Sequence, residues 1–315
     1  MVEDLRSHGK NALVFKLLTE DQSSNDYLDQ SIYQNLIKQP KIDNPFVILD
    51  GNIPDKIEEK IKGFTRKSTN KHDLLILEGT SNTTNDVSSK LADILDAKVL
   101  VVTQFQYDLE TSHLQKWKDI FKERIIGFLI NGITKHRHAY TEKSLLPSMN
   151  SSGLKPLGAI PEDRGLLALT VRQLASHLKG KFTIGEEHSD QLVEHFLVGA
   201  VGMDNGSIYF GTRENKAVIV RGDRPDIQMS ALQTDTKCLI LTQGIEPIEY
   251  ILNEADLQET PIIVVESNTL ETMDLINTVL NSSSFDHQSK LTRFSSLLKT
   301  HADTSLIYSE LGLAN

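Results

Sequence analysis

The chain has 315 residues, of which 39% are hydrophobic, 24% charged and 6% aromatic. This is ordinary globular composition, so disordered, collagen-like and low-complexity chains are excluded, and at roughly 100–200 residues per domain the length suggests two domains. Thirty-three basic against 43 acidic residues give a net charge of −10, which argues against a general nucleic-acid binder or a membrane-surface protein, since both need a cationic face.

In chain order, short apolar runs at Ala12–Leu18, Pro45–Leu49, Asp73–Glu78, Ala97–Thr103 and Ile125–Asn131 predict buried strands. They are apolar on both faces, the pattern of a parallel sheet covered by helices. Amphipathic stretches at Tyr27–Lys38, Asp55–Thr65, Val87–Asp96 and Glu110–Arg124 predict helices between them. A polar stretch at Gly180–Asp190 reads as a linker or crossover. After it, Gln191–Val198 predicts a helix, and Ser207–Gly211 and Ala217–Val220 predict strands. Then come a helix at Ile227–Leu232, a strand at Cys238–Leu241, a helix at Pro247–Glu254, a strand at Ile262–Val265 and a helix at Thr269–Leu280. The last residues predict a helical tail. The organisation expected is 1–182, 183–285 and a tail over 286–315.

One cysteine, Cys238, permits no internal disulfide and reads as buried packing in CLILT; no Cys/His cluster has zinc-ligand spacing. No apolar run approaches the roughly 20 residues that span a bilayer, and the N-terminus lacks a signal-peptide pattern, so a soluble, cytoplasmic protein is expected. His136 and His138 are two apart and would not share a helix face, which favours a solvated loop.

Doubly wound sheets bind ligands outside the carboxyl ends of their strands. There LLILEGT places Glu78, able to meet Mg²⁺ through water, beside Gly79; a solvated strand exit explains the same residues. GFLIN places Asn131, whose amide could read a nucleobase edge or simply form a turn. LGAIPEDR stops at Pro161, with Glu162 and Asp163 suited to a helix N-terminus. A phosphate loop, G-x-x-x-x-G-K-[ST], is not found: Gly9-Lys10 and Gly180-Lys181 are preceded at the required position by Asp4 and Ala175. In the second half, AVIVRGDRPDIQ runs from a strand into a helix. Arg221 and Arg224 with the helix-start N–H groups would make an anion site at Gly222, with Asp223 or Asp226 as a cap. A well-capped turn held by local Asp–Arg pairs accounts for it equally. Turns at Gly244 and at Glu266–Thr269 would lie along the same edge.

VRGDRPDIQMSAL, LILTQGIEP and PIIVVESNTLETMDLI resemble the DRTGG domain over roughly residues 190–280. Asp223 and Arg224 are retained, and Pro225 and Asp226 replace the Thr and first Gly of the name motif. LLILEGTSN, AKVLVVT, GFLIN and LGAIPED resemble the dethiobiotin-synthetase-like P-loop domain that accompanies DRTGG at the N-terminus of some phosphotransacetylases. The resemblance implies a parallel-sheet, three-layer α/β domain of P-loop NTPase type, followed by a smaller α/β DRTGG domain. Its relatives begin with a strand and phosphate loop. Met1–Lys10 aligns only with the later part of the helix that follows, so this domain is expected to be N-terminally incomplete by about 20–25 residues.

The resemblance implies a regulatory or ligand-sensing homodimer. It would bind a small anionic ligand or nucleotide at Arg221, Gly222, Asp223, Arg224, Asp226 and Gly244. A degenerate nucleotide site would lie at Glu78, Gly79, Asn131 and Pro161, and no catalytic residue is assigned. One alternative is an ATP- and Mg²⁺-dependent enzyme of the dethiobiotin-synthetase type whose start lies further upstream. Another is an interaction module for a separate phosphotransacetylase or kinase. Acyl transfer to phosphate is not expected from these residues.

Overall fold

The computed structural model describes residues 1–19, 32–40, 46–47, 53–79, 85–200, 206–280 and 283–313. It divides into two compact units, Met1–Glu162 with Asp286–Asn315, and Asp163–Phe285. Both are mixed α/β with parallel strands, as the doubly apolar runs predict.

In the first unit, β1 (Ala12–Lys16) and β2 (Leu74–Glu78) pair in parallel, Ala12 opposite Leu74 and Lys16 opposite Glu78. β3 (Val99–Gln104), β4 (Ile125–Ile133) and β5 (Pro156–Pro161) form a second parallel sheet in that order. Side chains alternate between two helical layers. Val2 and Leu5 of α1 (Val2–Ser7) bury Ala12 on one side. Ile61 of α2 (Asp55–Thr69), with Val87 and Leu91 of α3 (Asn85–Leu95), packs on Leu13 and Phe15 on the other. Leu114 of α4 (Thr111–Phe121) continues that layer over Phe128 and Ile130 of β4.

The outer edges of both sheets are closed. The Gln39 side chain accepts from Val14 N–H at 3.2 Å and donates to the Val14 carbonyl at 2.6 Å, closing β1. Asp303 N–H donates to the Leu157 carbonyl at 2.7 Å beside a bridge between Gly158 and Ala302, closing β5. The inner edges are open. Among the described residues no ladder joins β2 to β3, although α3 connects them, and Val102 of β3 is 60% exposed.

In the second unit, β6 (Lys181–Ile184), β7 (His195–Val198), β8 (Lys216–Arg221), β9 (Thr236–Thr242) and β10 (Ile262–Val264) form one sheet ordered β7-β8-β9-β10-β6. All neighbours are parallel except β6, which runs against β10. α5 (Val171–His177) covers Ile219 and Ile240 on one face. α6 (Gly206–Phe210), α7 (Pro225–Leu232) and α8 (Glu249–Leu257) cover Val220 and Leu241 on the other. α9 (Thr269–Leu280) joins the α5 layer through Ile276 and Val279. Cys238 is wholly buried between strands, and burial pushes its thiol pKa up, as packing rather than nucleophilic use requires.

Five sequence expectations are corrected. The boundary falls at 162/163 rather than 182/183, because α5 and β6 build the second core. The tail over 286–315 belongs to the first unit, where Leu298 and Ile307 pack with Ile126 and Ile160. Gln191–Val198 holds strand residues rather than a helix, because His195–Val198 takes the free edge of β8. Ser207–Phe210 is helical despite its β-type residues. Gly206 lets it press on Ser230 of α7, where an added Cβ would lie 2.7 Å away, and Phe210 is wholly buried. The polar stretch at Gly180–Asp190 is also no mere linker, since it carries β6. Tyr27–Ser31, most of Pro45–Leu49 and Thr80 lie outside the described residues.

Candidate functional site

The carboxyl end of β8 delivers Arg221 and Gly222 to a tight turn, and Pro225 restarts the chain as the first residue of α7. Proline suits that position because its missing N–H would be unpaired there anyway. The helix N-cap is Arg224, without a side-chain capping bond, while Asp226 lies in the first turn and its carboxylate accepts from the Ile227 N–H. Both carboxylates are engaged by arginine. Arg221 Nε donates to Asp223 Oδ1 at 2.9 Å, and its Nη2 donates to the other oxygen. Arg224 donates from Nε at 3.0 Å and from Nη2 at 2.8 Å to the two oxygens of Asp226.

The hydrogen bonds from Arg224 hold the Asp226 carboxyl below the usual carboxylate range, and Asp226 raises the pKa of Arg224 in return. The turn is thus internally neutral, and its four charged side chains are between 30% and 53% exposed. Exposed pairs of this kind contribute little to stability, so each guanidinium can exchange its carboxylate for another oxyanion.

Beneath the turn, the fully buried Gln228 donates from Nε2 to the carbonyls of Arg221 at 3.1 Å and Gly222 at 3.0 Å. Its Oε1 has no hydrogen-bond partner among the described residues. Gly222 lies so close to the next turn that an added Cβ would stand 2.1 Å from the Ile245 carbonyl oxygen. Gly244 has φ +66°, and a Cβ there would stand 2.7 Å from Glu266 Oε2. On the same edge Thr242 and Thr269 share a hydroxyl contact at 3.3 Å, and Asn268 Oδ1 accepts from the N–H groups of Leu270 and Glu271 at 3.0 and 3.1 Å.

All six residues predicted here, Arg221, Gly222, Asp223, Arg224, Asp226 and Gly244, therefore stand along one sheet edge. Gln228 was not singled out from the sequence. The available signal was a glutamine within an otherwise apolar helix face.

The residues predicted in the first unit are less concentrated. Glu78 ends β2, and its carboxylate lies 3.7 Å from the buried ammonium of Lys16 and accepts from the Tyr33 hydroxyl. Asn131 does not end its strand. β4 runs on to Ile133, and the Asn131 carbonyl accepts from Phe105 N–H at 2.8 Å. Pro161 ends β5 opposite Ile133. Gly79 follows β2, where an added Cβ would stand 4.0 Å from the Ser88 hydroxyl oxygen. At this strand end Glu78 would be the residue to meet a Mg²⁺ through water. The carboxylate already faces a buried cation, and the described residues hold no cluster of three metal-ligating side chains. No described helix is long and apolar enough to cross a membrane.

Residues 173–279 match the family model of the DRTGG domain, so the second unit carries a DRTGG domain. Over 281 residues the chain is 25% identical to a phosphate acetyltransferase of Nitratidesulfovibrio vulgaris, covering 82% of this chain and 39% of that protein. A phosphate acetyltransferase of Synechocystis sp. is 22% identical over 251 residues, covering 73% of this chain and 36% of that protein. The chain thus spans less than two-fifths of the length of either relative.

Among solved structures, the CBS and DRTGG domains of the regulatory region of a Clostridium perfringens pyrophosphatase, complexed with the activator diadenosine tetraphosphate, share 14% identity at a TM-score of 0.34. That match covers 60% of this chain and 76% of the other. The MinC:MinD cell division complex of Aquifex aeolicus shares 13% identity at a TM-score of 0.35, covering 53% and 75%. Neither likeness is close enough to define the fold.

Proposed function

We propose that this protein is a ligand-sensing regulatory protein whose DRTGG domain binds a small anionic ligand, a nucleotide in the first instance, at the carboxyl edge of its five-stranded sheet. The observation that carries this reading is the double clasp Arg221–Asp223 and Arg224–Asp226 at that edge. Two exposed guanidiniums stand ready with bidentate geometry, and a phosphate group would replace the local carboxylates. The close approach at Gly222 supports the reading, since it brings backbone against backbone along the edge, whereas Gly244 packs against the Glu266 carboxylate.

The first unit serves in this proposal as a scaffold related to the dethiobiotin-synthetase-like domain. The order of its parallel strands supports that relation. The Lys16–Glu78 pair favours a scaffold over an ATP-hydrolysing site, because the carboxylate is neutralised from within. The protein would act as a homodimer. Tyr250 and Leu257, seven residues apart on α8 and 50% and 77% exposed, support a face for self-association.

Isothermal titration of ATP into the full chain tests the ligand reading, with Arg224→Ala as control. Saturable binding that weakens in the variant is expected. No binding, or binding indifferent to the substitution, would overturn it.

A further inference from the structure

Asp223 and Asp226 occupy the donors that an oxyanion at this edge would use. Arg221 gives Nε and Nη2 to the two oxygens of Asp223, and Arg224 gives the same pair to Asp226. Those two parallel N–H groups are the fork with which a guanidinium receives a carboxylate or a phosphoryl group. Each aspartate stands two residues from its arginine, so it competes from within. A group on so short a tether is present at an effective concentration on the order of millimolar.

That competition sorts ligands by charge. A ligand with one carboxylate offers an arginine the same group it already holds, at lower local concentration. A terminal phosphoryl group carries a charge of about −1.5 to −2 at neutral pH and three acceptor oxygens, so it attracts a guanidinium more strongly than a carboxylate does. One phosphoryl group can open one clasp. Two linked phosphoryl groups can open both while only one molecule loses its translational freedom. Glu266, whose carboxylate packs against Gly244, and Glu271, which accepts from Asn268 N–H at 3.2 Å, add negative charge along the same edge and raise the threshold for every anion.

The aspartates can leave without disturbing the core. All four side chains of the two clasps are partly exposed, and the backbone beneath them is fixed where the buried Gln228 holds the Arg221 and Gly222 carbonyls. Asp226 keeps partners after release. Its carboxylate also accepts from the Ile227 N–H and from its own N–H at the start of α7, where negative charge is favoured.

Building on the nucleotide reading above, we propose that Asp223 and Asp226 determine the specificity of this edge. As internal competitors they admit ligands with two or more linked phosphoryl groups and turn away carboxylates and single phosphates. This filter rests on the edge binding anions at all, and a comparison of ADP with AMP separates the two questions.

Isothermal titration of the full chain with ADP and with AMP, which share one nucleoside, is the test. ADP is expected to bind saturably and AMP about tenfold more weakly. Inorganic pyrophosphate should displace ADP, whereas inorganic phosphate and succinate at equal concentration should not. In the double variant Asp223→Asn, Asp226→Asn the competitors are neutral, so AMP should bind about tenfold more tightly than it does to wild type. A thermal melt verifies that the variant folds, and the wild-type comparison stands without it. Equal affinity of wild type for AMP and ADP, failure of pyrophosphate to displace ADP, or no gain of AMP binding in the folded variant would overturn the filter and leave the anion edge in place. Absent binding of every phosphate ligand to both proteins would overturn the edge itself, and the filter with it.

Discussion

Arg224 and Asp226 clasp each other across Pro225 through two parallel hydrogen bonds of 3.0 and 2.8 Å, and Arg221 with Asp223 repeats the arrangement one step earlier in the same turn. Two guanidiniums are thereby held in defined orientations at the mouth of a strand–helix junction without a net charge accumulating there. An oxyanion entering this edge meets donors already ordered, which lowers the entropy lost on binding.

The clasp gives a pH signature. The hydrogen bonds from Arg224 hold Asp226 below the ordinary carboxylate range. Its contribution is therefore complete above that range and is lost as pH falls through the depressed folded value. Urea midpoints of wild type and Asp226→Asn should differ at neutral pH and converge in acid. A gap that widens on acidification would contradict the pairing.

Gly222 tests the closeness of the two turns. An alanine Cβ would stand 2.1 Å from the Ile245 carbonyl oxygen, so backbone must move. Gly222→Ala should destabilise by about 1–3 kcal/mol, the cost of overpacking, in urea denaturation. A substitution without effect would mean that the β8 and β9 turns are not in contact.

Gln228 ties the α7 interior to the strand end above it. Gln228→Leu removes both donors to the Arg221 and Gly222 carbonyls while filling the same space. A loss of about 1–3 kcal/mol is expected, because the buried Gly222 carbonyl loses its donor, whereas the Arg221 carbonyl keeps the N–H of Arg224. Faster amide exchange within Gly222–Asp226 should accompany it.

Gly158 anchors the C-terminal helices. Gly158→Ala drives a Cβ into the His301 backbone and should release Gln288–His301 from β5. Hydrogen exchange across 288–310 should rise to the level expected of a detached segment, while β8 and β9 stay protected. Unchanged protection of 288–310 would contradict the docking role of this glycine.

Much of this architecture could be read from the chain. Doubly apolar runs such as ALVFK and CLILT announced parallel strands, because only strands covered on both faces are apolar at every position. The RGDRPD turn was legible for a local reason, proline next to paired Asp and Arg residues. What escaped the sequence was tertiary in origin. SIYFG carries strand-type residues, yet contact with α7 makes it a helix. HFLV, within a stretch that reads as helix, becomes a strand because β8 offers it an edge. His138 and His301 lie 163 positions apart, and no local pattern could announce their edge-to-face contact. Gln228 looked like an interruption of an apolar face until the carbonyls above it were in place.

The most direct test of the anion edge is an amide chemical-shift titration of the full chain with ATP. Shifts concentrated at Gly222, Arg224 and Gly244, abolished by Arg224→Ala while the remaining spectrum is preserved, are the predicted result. ATP-dependent shifts confined to the first unit, with that edge unmoved, would contradict it.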